Sequence, residues 1–246
     1  MRKFYTLLTR EVRSYFYSPI AYVVLIFFLI ISGIDFYFQI SFMNQRQVQY
    51  TVQEAFFNSV FFWFAFVLIF PLITMRLFAE EKRQGTIELL ATAPITDLQI
   101  VLGKFLAAAG LYGLMILAGL LNLALIWHYA PTPPEWKPVL TGALALLLFG
   151  CCFIALGVFV STLTRNQIVA GILSFCLFLG VWTLGWADDP SAGPVMRALA
   201  YLGVTTHMED MVKGVVDLKD VVFYLSFIVF GLFLAHESVQ SQRWRA

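Results

Sequence analysis

Apolar residues along this chain fall in long unbroken blocks, not in the narrow stripes of a soluble helix or the alternation of a half-buried strand. Five blocks reach the roughly 20 residues that a helix needs to cross a hydrocarbon core about 30 Å thick. They run from Ile20 to about Phe42, Phe56 to Met75, Phe105 to Trp127, Val139 to Leu163, and Ile168 to Trp186. A sixth, VVFYLSFIVFGLFLA from Val221 to Ala235, is short for a span, and tilt or local thinning is expected to absorb the deficit. The pattern predicts an all-α polytopic membrane protein with six transmembrane helices. The first block is longer than the apolar region of a signal peptide and no small-x-small site follows it, so it is expected to stay in place.

Composition supports this reading. Of 246 residues, 60% are hydrophobic and 13% charged, against about half and about a quarter in an average soluble domain. An ordinary soluble globule is excluded. The net charge of +1 gives no reason to expect nucleic acid as a partner. Cys151, Cys152 and Cys176 all lie inside apolar runs and are expected to be packing thiols, not a disulfide framework.

Lys and Arg are distributed unequally between the two sides. With the N-terminus inside, eleven lie on the inner side (Arg2, Lys3, Arg10, Arg13, Arg76, Lys82, Arg83, Lys104, Arg165, Arg243, Arg245), and five on the outer (Arg46, Lys137, Arg197, Lys213, Lys219). The positive-inside rule then puts both termini and the segment between spans two and three in the cytoplasm.

Three polar stretches punctuate the spans. In MRKFYTLLTREVRSYFYSP, Phe4, Leu7, Leu8, Val12 and Tyr15 recur at helical spacing and the basic residues fall largely elsewhere, until Pro19 interrupts. Residues 1–18 therefore read as an amphipathic elbow along the inner headgroups, or as a helical extension of span one with a basic flank. On the outer side, HYAPTPPEWKP is a stiff connector, and residues 187–219 form the largest outer element, in which Met196, Leu199, Ala200, Leu202 and Gly203 can make a short helix. The third stretch, AEEKRQGTIELLATAPIT at 79–96, has internal order. Gly85 can take the left-handed conformation that ends a helix, Thr86 is a good N-cap for the next, and TDLQ from Thr96 is a capping box that starts span three. Glu80, Glu81, Lys82, Arg83 and Glu88 are expected to be exposed, as a docking surface or as a solvated loop whose role is topology.

Other chemistry is sparse. VLGKF lacks the leading Gly and the Ser/Thr of a phosphate loop, and His128, His207 and His236 are scattered near span ends, where they are expected to be interfacial residues and not metal ligands. No catalytic, metal or cofactor site is expected within the chain. Asp35 lies in the outer half of span one, either on a substrate path or at the outer interface.

The order FAEEKRQGTIELLATAPIT followed by LGK resembles the ABC-2 type permeases, in particular the small six-span permeases associated with gliding motility. Their pattern is a Glu, three residues, Gly-Thr, an apolar helix and a Pro-containing turn, and Glu81, Gly85, Thr86, Leu89 and Pro94 match it. The resemblance extends over the whole chain, as one transmembrane domain of residues 1–246. It implies that residues 76–97 are a cytoplasmic coupling segment, with Glu80, Glu81, Arg83, Gly85, Thr86 and Glu88 meeting a separate ABC ATPase that holds ATP and magnesium. It further implies a non-catalytic permease subunit of an exporter in the bacterial inner membrane, a second copy of the chain, and room for an accessory membrane or periplasmic subunit. The aromatic and small residues of spans two and five would close the dimer seam and line the path. Two other classes stay open, an ion-coupled secondary carrier and a non-transporting membrane scaffold.

Overall fold

The computed structural model describes residues 2–45, 57, 59–86, 95–129, 135–185, 193 and 201–243. Its helices are α1 (Arg2–Tyr17), α2 (Pro19–Gln45), α3 (Val60–Thr74), α4 (Ala79–Gln84), α5 (Asp97–Tyr129), α6 (Trp136–Leu163), α7 (Gln167–Leu184), α8 (Glu209–Val212) and α9 (Leu218–Arg243), with a 3-10 turn at Thr206–Met208 before α8. Six stretches are long and apolar enough to cross a membrane: Pro19–Ser41, Phe61–Gln84, Asp97–Tyr129, Trp136–Leu163, Gln167–Leu184 and Leu218–Ser241. The sixth is not short. Its helix starts at Leu218 and runs past Ala235 through HESVQSQR, because polar side chains at a helix end do not interrupt backbone pairing.

The boundaries follow local chemistry. Pro19 does not extend α1 but opens α2, where its missing N–H costs nothing; Ser18 is the bend between them. Thr96 Oγ1 accepts from Gln99 N–H and the Gln99 side chain accepts from Thr96 N–H, both at 3.3 Å. This is the reciprocal capping box that TDLQ predicts. At Asn166 the side chain accepts from Ile168 N–H at 2.9 Å and begins α7.

The centre of the bundle is α6, which packs on α3, α5, α7 and α9. Glycines let it approach so closely. A Cβ at Gly142 would meet the Phe57 ring at 2.5 Å, one at Gly150 the Tyr112 ring at 2.1 Å, and one at Gly157 Thr74 Oγ1 at 2.3 Å. On another face, Gly231 of α9 sits over Ala155. Small residues at a helix seam bring backbones together where lipid offers little hydrophobic drive. Around this seam Phe62, Phe66, Phe70, Tyr112, Phe149, Phe153 and Phe178 form a continuous ring cluster, with neighbouring centroids 4.6 to 5.6 Å apart. The Tyr112 hydroxyl donates to Leu146 O at 2.6 Å, which satisfies the one polar atom it brings inside.

Two sequence expectations change here. The aromatics of span two were expected at a dimer seam; Phe62, Trp63, Phe66 and Phe70 are instead buried within the protomer, while Phe61 and Phe64 face out. These rings pack on Tyr112 of α5 and on Phe149 and Phe153 of α6. Cys151 and Cys152 are buried thiols, but Cys176 is exposed on α7, which buries only one stripe (Ala170, Ser174, Phe178, Trp182).

The bundle has two chemically different ends. One gathers α1, α4, the start of α5 and the ends of α6 and α9. At the other, Asp35 is buried and accepts from Gln39 and Ser59, and His207 is buried between Asp220 (Nδ1 to Oδ1, 2.7 Å) and Tyr201 O (3.0 Å from Nε2). His207 is thus a core residue, not an interfacial one. Met196, Leu199 and Ala200 lie outside the described residues, and Leu202 and Gly203 are not helical.

Gly150→Ala should lower stability by about 1–3 kcal/mol, because its methyl has no room beside Tyr112. Gly110, with nothing within 4 Å of its Cβ position, should accept Ala without loss. Thermal unfolding of the two variants in one detergent checks this.

Candidate functional site

The end that carries α4 has the densest polar chemistry among the described residues. From Phe61 the helical path runs through a turn at 75–78 into α4, which closes at Gly85 (φ 71°) with Thr86 N–H donating to Glu81 O at 3.0 Å. No Cβ clash forces glycine there; the left-handed backbone does.

The start of α4 cannot cap itself, since its N-cap residue is Phe78. The cap comes from α6. Buried Ser161 Oγ accepts from Phe78 N–H at 3.0 Å and Ala79 N–H at 3.1 Å, and donates to Met75 O at 3.2 Å. Two orphan donors of a helix start are thereby satisfied by a hydroxyl more than 80 residues away. Lys82 Nζ donates to Thr162 O of the same helix end, and Thr162 Oγ1 meets Ser238 Oγ of α9 at 2.8 Å.

On its other side α4 joins α1 and α5 through charge. Lys104 is 2% exposed, and its Nζ lies 2.8 Å from Glu81 Oε1 and 3.2 Å from Glu11 Oε2. Arg10 closes the set, 2.7 Å from Glu11 and 3.3 Å from Glu81. An ammonium this buried is tolerable only when paired. Lys104 sits about two turns beyond the start of a 33-residue helix, about 50 Å long and so longer than the bilayer core. Leu7 of α1 packs over Gly103, which has no side chain to keep α1 away. Nearby, Arg76 bonds Glu80 at 2.9 Å and Ser18 Oγ at 2.7 Å. The Tyr15 hydroxyl donates to Ile73 O at 3.0 Å. Burial first and Glu11 second raise the Tyr15 pKa, against Arg76, so it stays a neutral donor.

A profile of the family described as ABC-2 family transporter protein matches residues 5–235. The chain belongs to this family. No curated protein matches it. Family membership makes the chain a membrane permease and agrees with a non-catalytic transmembrane subunit.

The predicted site residues of this permease fall into two groups. Glu80, Glu81 and Lys82 are not the exposed charges that the sequence suggested; they turn inward onto Arg76, Lys104, Arg10 and Thr162. Arg83 and Gly85 are exposed and Thr86 is half-buried. Glu88 lies outside the described residues, as do Leu89 and Pro94. Asp35 is at the opposite end of the bundle. Sequence reasoning missed Glu11, Lys104 and Ser161. Lys104 figured in the sequence only as an inner-side positive charge and within LGK, and Glu11 lies on the apolar side of α1, a placement that can signal a buried charge. Among the described residues, no three potential metal ligands come together.

Lys104→Met should cost about 1–3 kcal/mol, by leaving buried Glu11 and half-buried Glu81 with Arg10 as their one remaining counter-charge. Adding Glu11→Gln and Glu81→Gln to the same chain should recover part of it. The comparison is made by unfolding the single and triple variants under identical conditions.

Proposed function

We propose that the permease is the transmembrane half of an ATP-driven ABC-2 exporter, with ATP and magnesium on a separate cytoplasmic ATPase and two copies of the chain around the pathway. The observation that carries this reading is the attachment of α4. Its root is bonded to three other helices, through Glu81 to α1 and α5 and through Phe78, Ala79 and Lys82 to α6. Its tip, Arg83 to Gly85, is free to meet another protein. A push on the tip therefore moves α1, α5 and α6 together.

Residues 76–97 then act as the coupling segment and α1 as the interfacial elbow, both on the cytoplasmic side of the bacterial inner membrane. Arg83, Gly85, Thr86 and Glu88 would touch the ATPase, whereas Glu80 and Glu81 pass displacement inward. Pro71, inside α3, removes one helical hydrogen bond just before the coupling segment and gives α3 a place to bend. Export or extraction of a hydrophobic, polysaccharide or protein-linked substrate, in gliding motility or elsewhere, follows from the resemblance, and so does an accessory subunit.

A second reading, an ion-coupled carrier, is favoured by one observation, the buried Asp35 carboxylate of span one. The two separate cleanly in vesicles containing the permease and its ATPase. ATP-dependent flux supports the exporter, and flux that follows an imposed ion gradient without ATP supports the carrier.

Arg83→Glu should weaken co-purification of the ATPase without lowering the stability of the permease. Gly85→Val should weaken it as well, by forcing a β-branched residue to bear about 1–2 kcal/mol of left-handed strain. Unchanged co-purification in both would remove α4 as the docking element.

Single cysteines introduced near Gln84 and Gln240 should be labelled only from the cytoplasm, and those near Thr132 and Ser191 only from outside. Labelling at Gln84 from the outside would reverse the topology.

A further inference from the structure

On the far side of the Arg10–Arg76 ridge from the carboxylates lies a second groove, of about 870 Å³. It opens between α1 and the turn after α3. Arg10, Arg13 and Arg76 line it together with the hydroxyls of Thr6, Ser14 and Ser18, and no carboxylate does. Glu11, Glu80 and Glu81 line the neighbouring groove instead, which shares Arg10, Ser14, Ser18 and Arg76 with this one.

We propose that this groove binds a phosphate group, and that the group is carried by an anionic phospholipid of the adjoining leaflet.

Three features separate it from an ordinary basic flank. The guanidinium groups come from two elements over 60 residues apart and converge on one space. Arg76 is held in advance, its Nε on Glu80 and one Nη on Ser18, so little freedom is lost when its remaining donors meet a ligand. Arg13 makes no ion pair among the described residues and is exposed, whereas Arg10 turns only Nη2 toward Glu11 and Glu81. Planar, permanently charged forks of this kind match phosphate oxygens two at a time, and the Ser14 hydroxyl adds a neutral donor. The lipid assignment rests on the reading that α1 lies at the inner headgroups; the phosphate chemistry does not.

The full chain, purified in detergent, is offered phosphatidylglycerol or diacylglycerol with the same acyl chains, and retained lipid is counted by native mass spectrometry. Inorganic phosphate binding is measured separately by equilibrium dialysis. Phosphatidylglycerol should be retained in preference to diacylglycerol. Arg13→Gln should reduce that preference about fivefold, Arg13→Lys should restore part of it, and Arg165→Gln, an exposed arginine after α6 that does not line the groove, should leave it intact. Inorganic phosphate binding that Arg13→Gln abolishes, without lipid retention, would uphold the phosphate site and overturn the lipid source. Equal losses in Arg13→Gln and Arg165→Gln, or no preference for phosphate in either assay, would overturn the site.

Discussion

A lysine ammonium withdrawn from water must find counter-charge within a few ångströms, and this requirement organises one whole end of the molecule. Lys104 meets it by drawing Glu11 from α1 and Glu81 from α4 to the same point on α5. Three elements are thereby fixed to one another by charge, in addition to the packing of Leu7 over Gly103. Arg10 then occupies the outward side of both carboxylates, which leaves the cluster close to neutral. The arrangement is directional. Each carboxylate can hold the lysine only if its own helix keeps its present axial position, so sliding of α1 or α4 along α5 is opposed far more strongly than joint movement.

Apolar block length made the six spans legible, because a bilayer imposes a minimum length that few other constraints imitate. Gly85 and the Thr96–Gln99 box were equally legible, since a left-handed residue and a reciprocal cap are local events with local signatures. Span six was underestimated because its polar C-terminal turns add nothing to an apolar run while still forming helix. The site itself was only half readable. Its position could be found from charge density between two oily runs, but its internal wiring depends on partners 82, 83 and 93 residues apart, and spacing along a chain does not encode such pairings. For the same reason His207 passed as an interfacial histidine until Asp220 was seen beside it.

The aromatic interior shows how a misplaced expectation arises. A run such as FFWFAFVLIFP offers rings on every face of its helix, so the sequence cannot say which face turns inward. The α6 glycines decide it. At Gly150 the missing side chain admits the Tyr112 ring of α5, against which Phe66 and Phe70 of α3 then pack, and at Gly157 it admits Thr74 at the end of α3.

The borrowed cap of α4 has a consequence in time. A chain made from its N-terminus produces Phe78 and Ala79 more than 80 residues before Ser161, an interval of about 4–16 s at ordinary rates of synthesis. Throughout it the first turn of α4 must satisfy its amides with water or with another protein. Helix α4 acquires its final form only when the fourth span has been delivered to the membrane, so its shape reports that assembly of the bundle has passed that point.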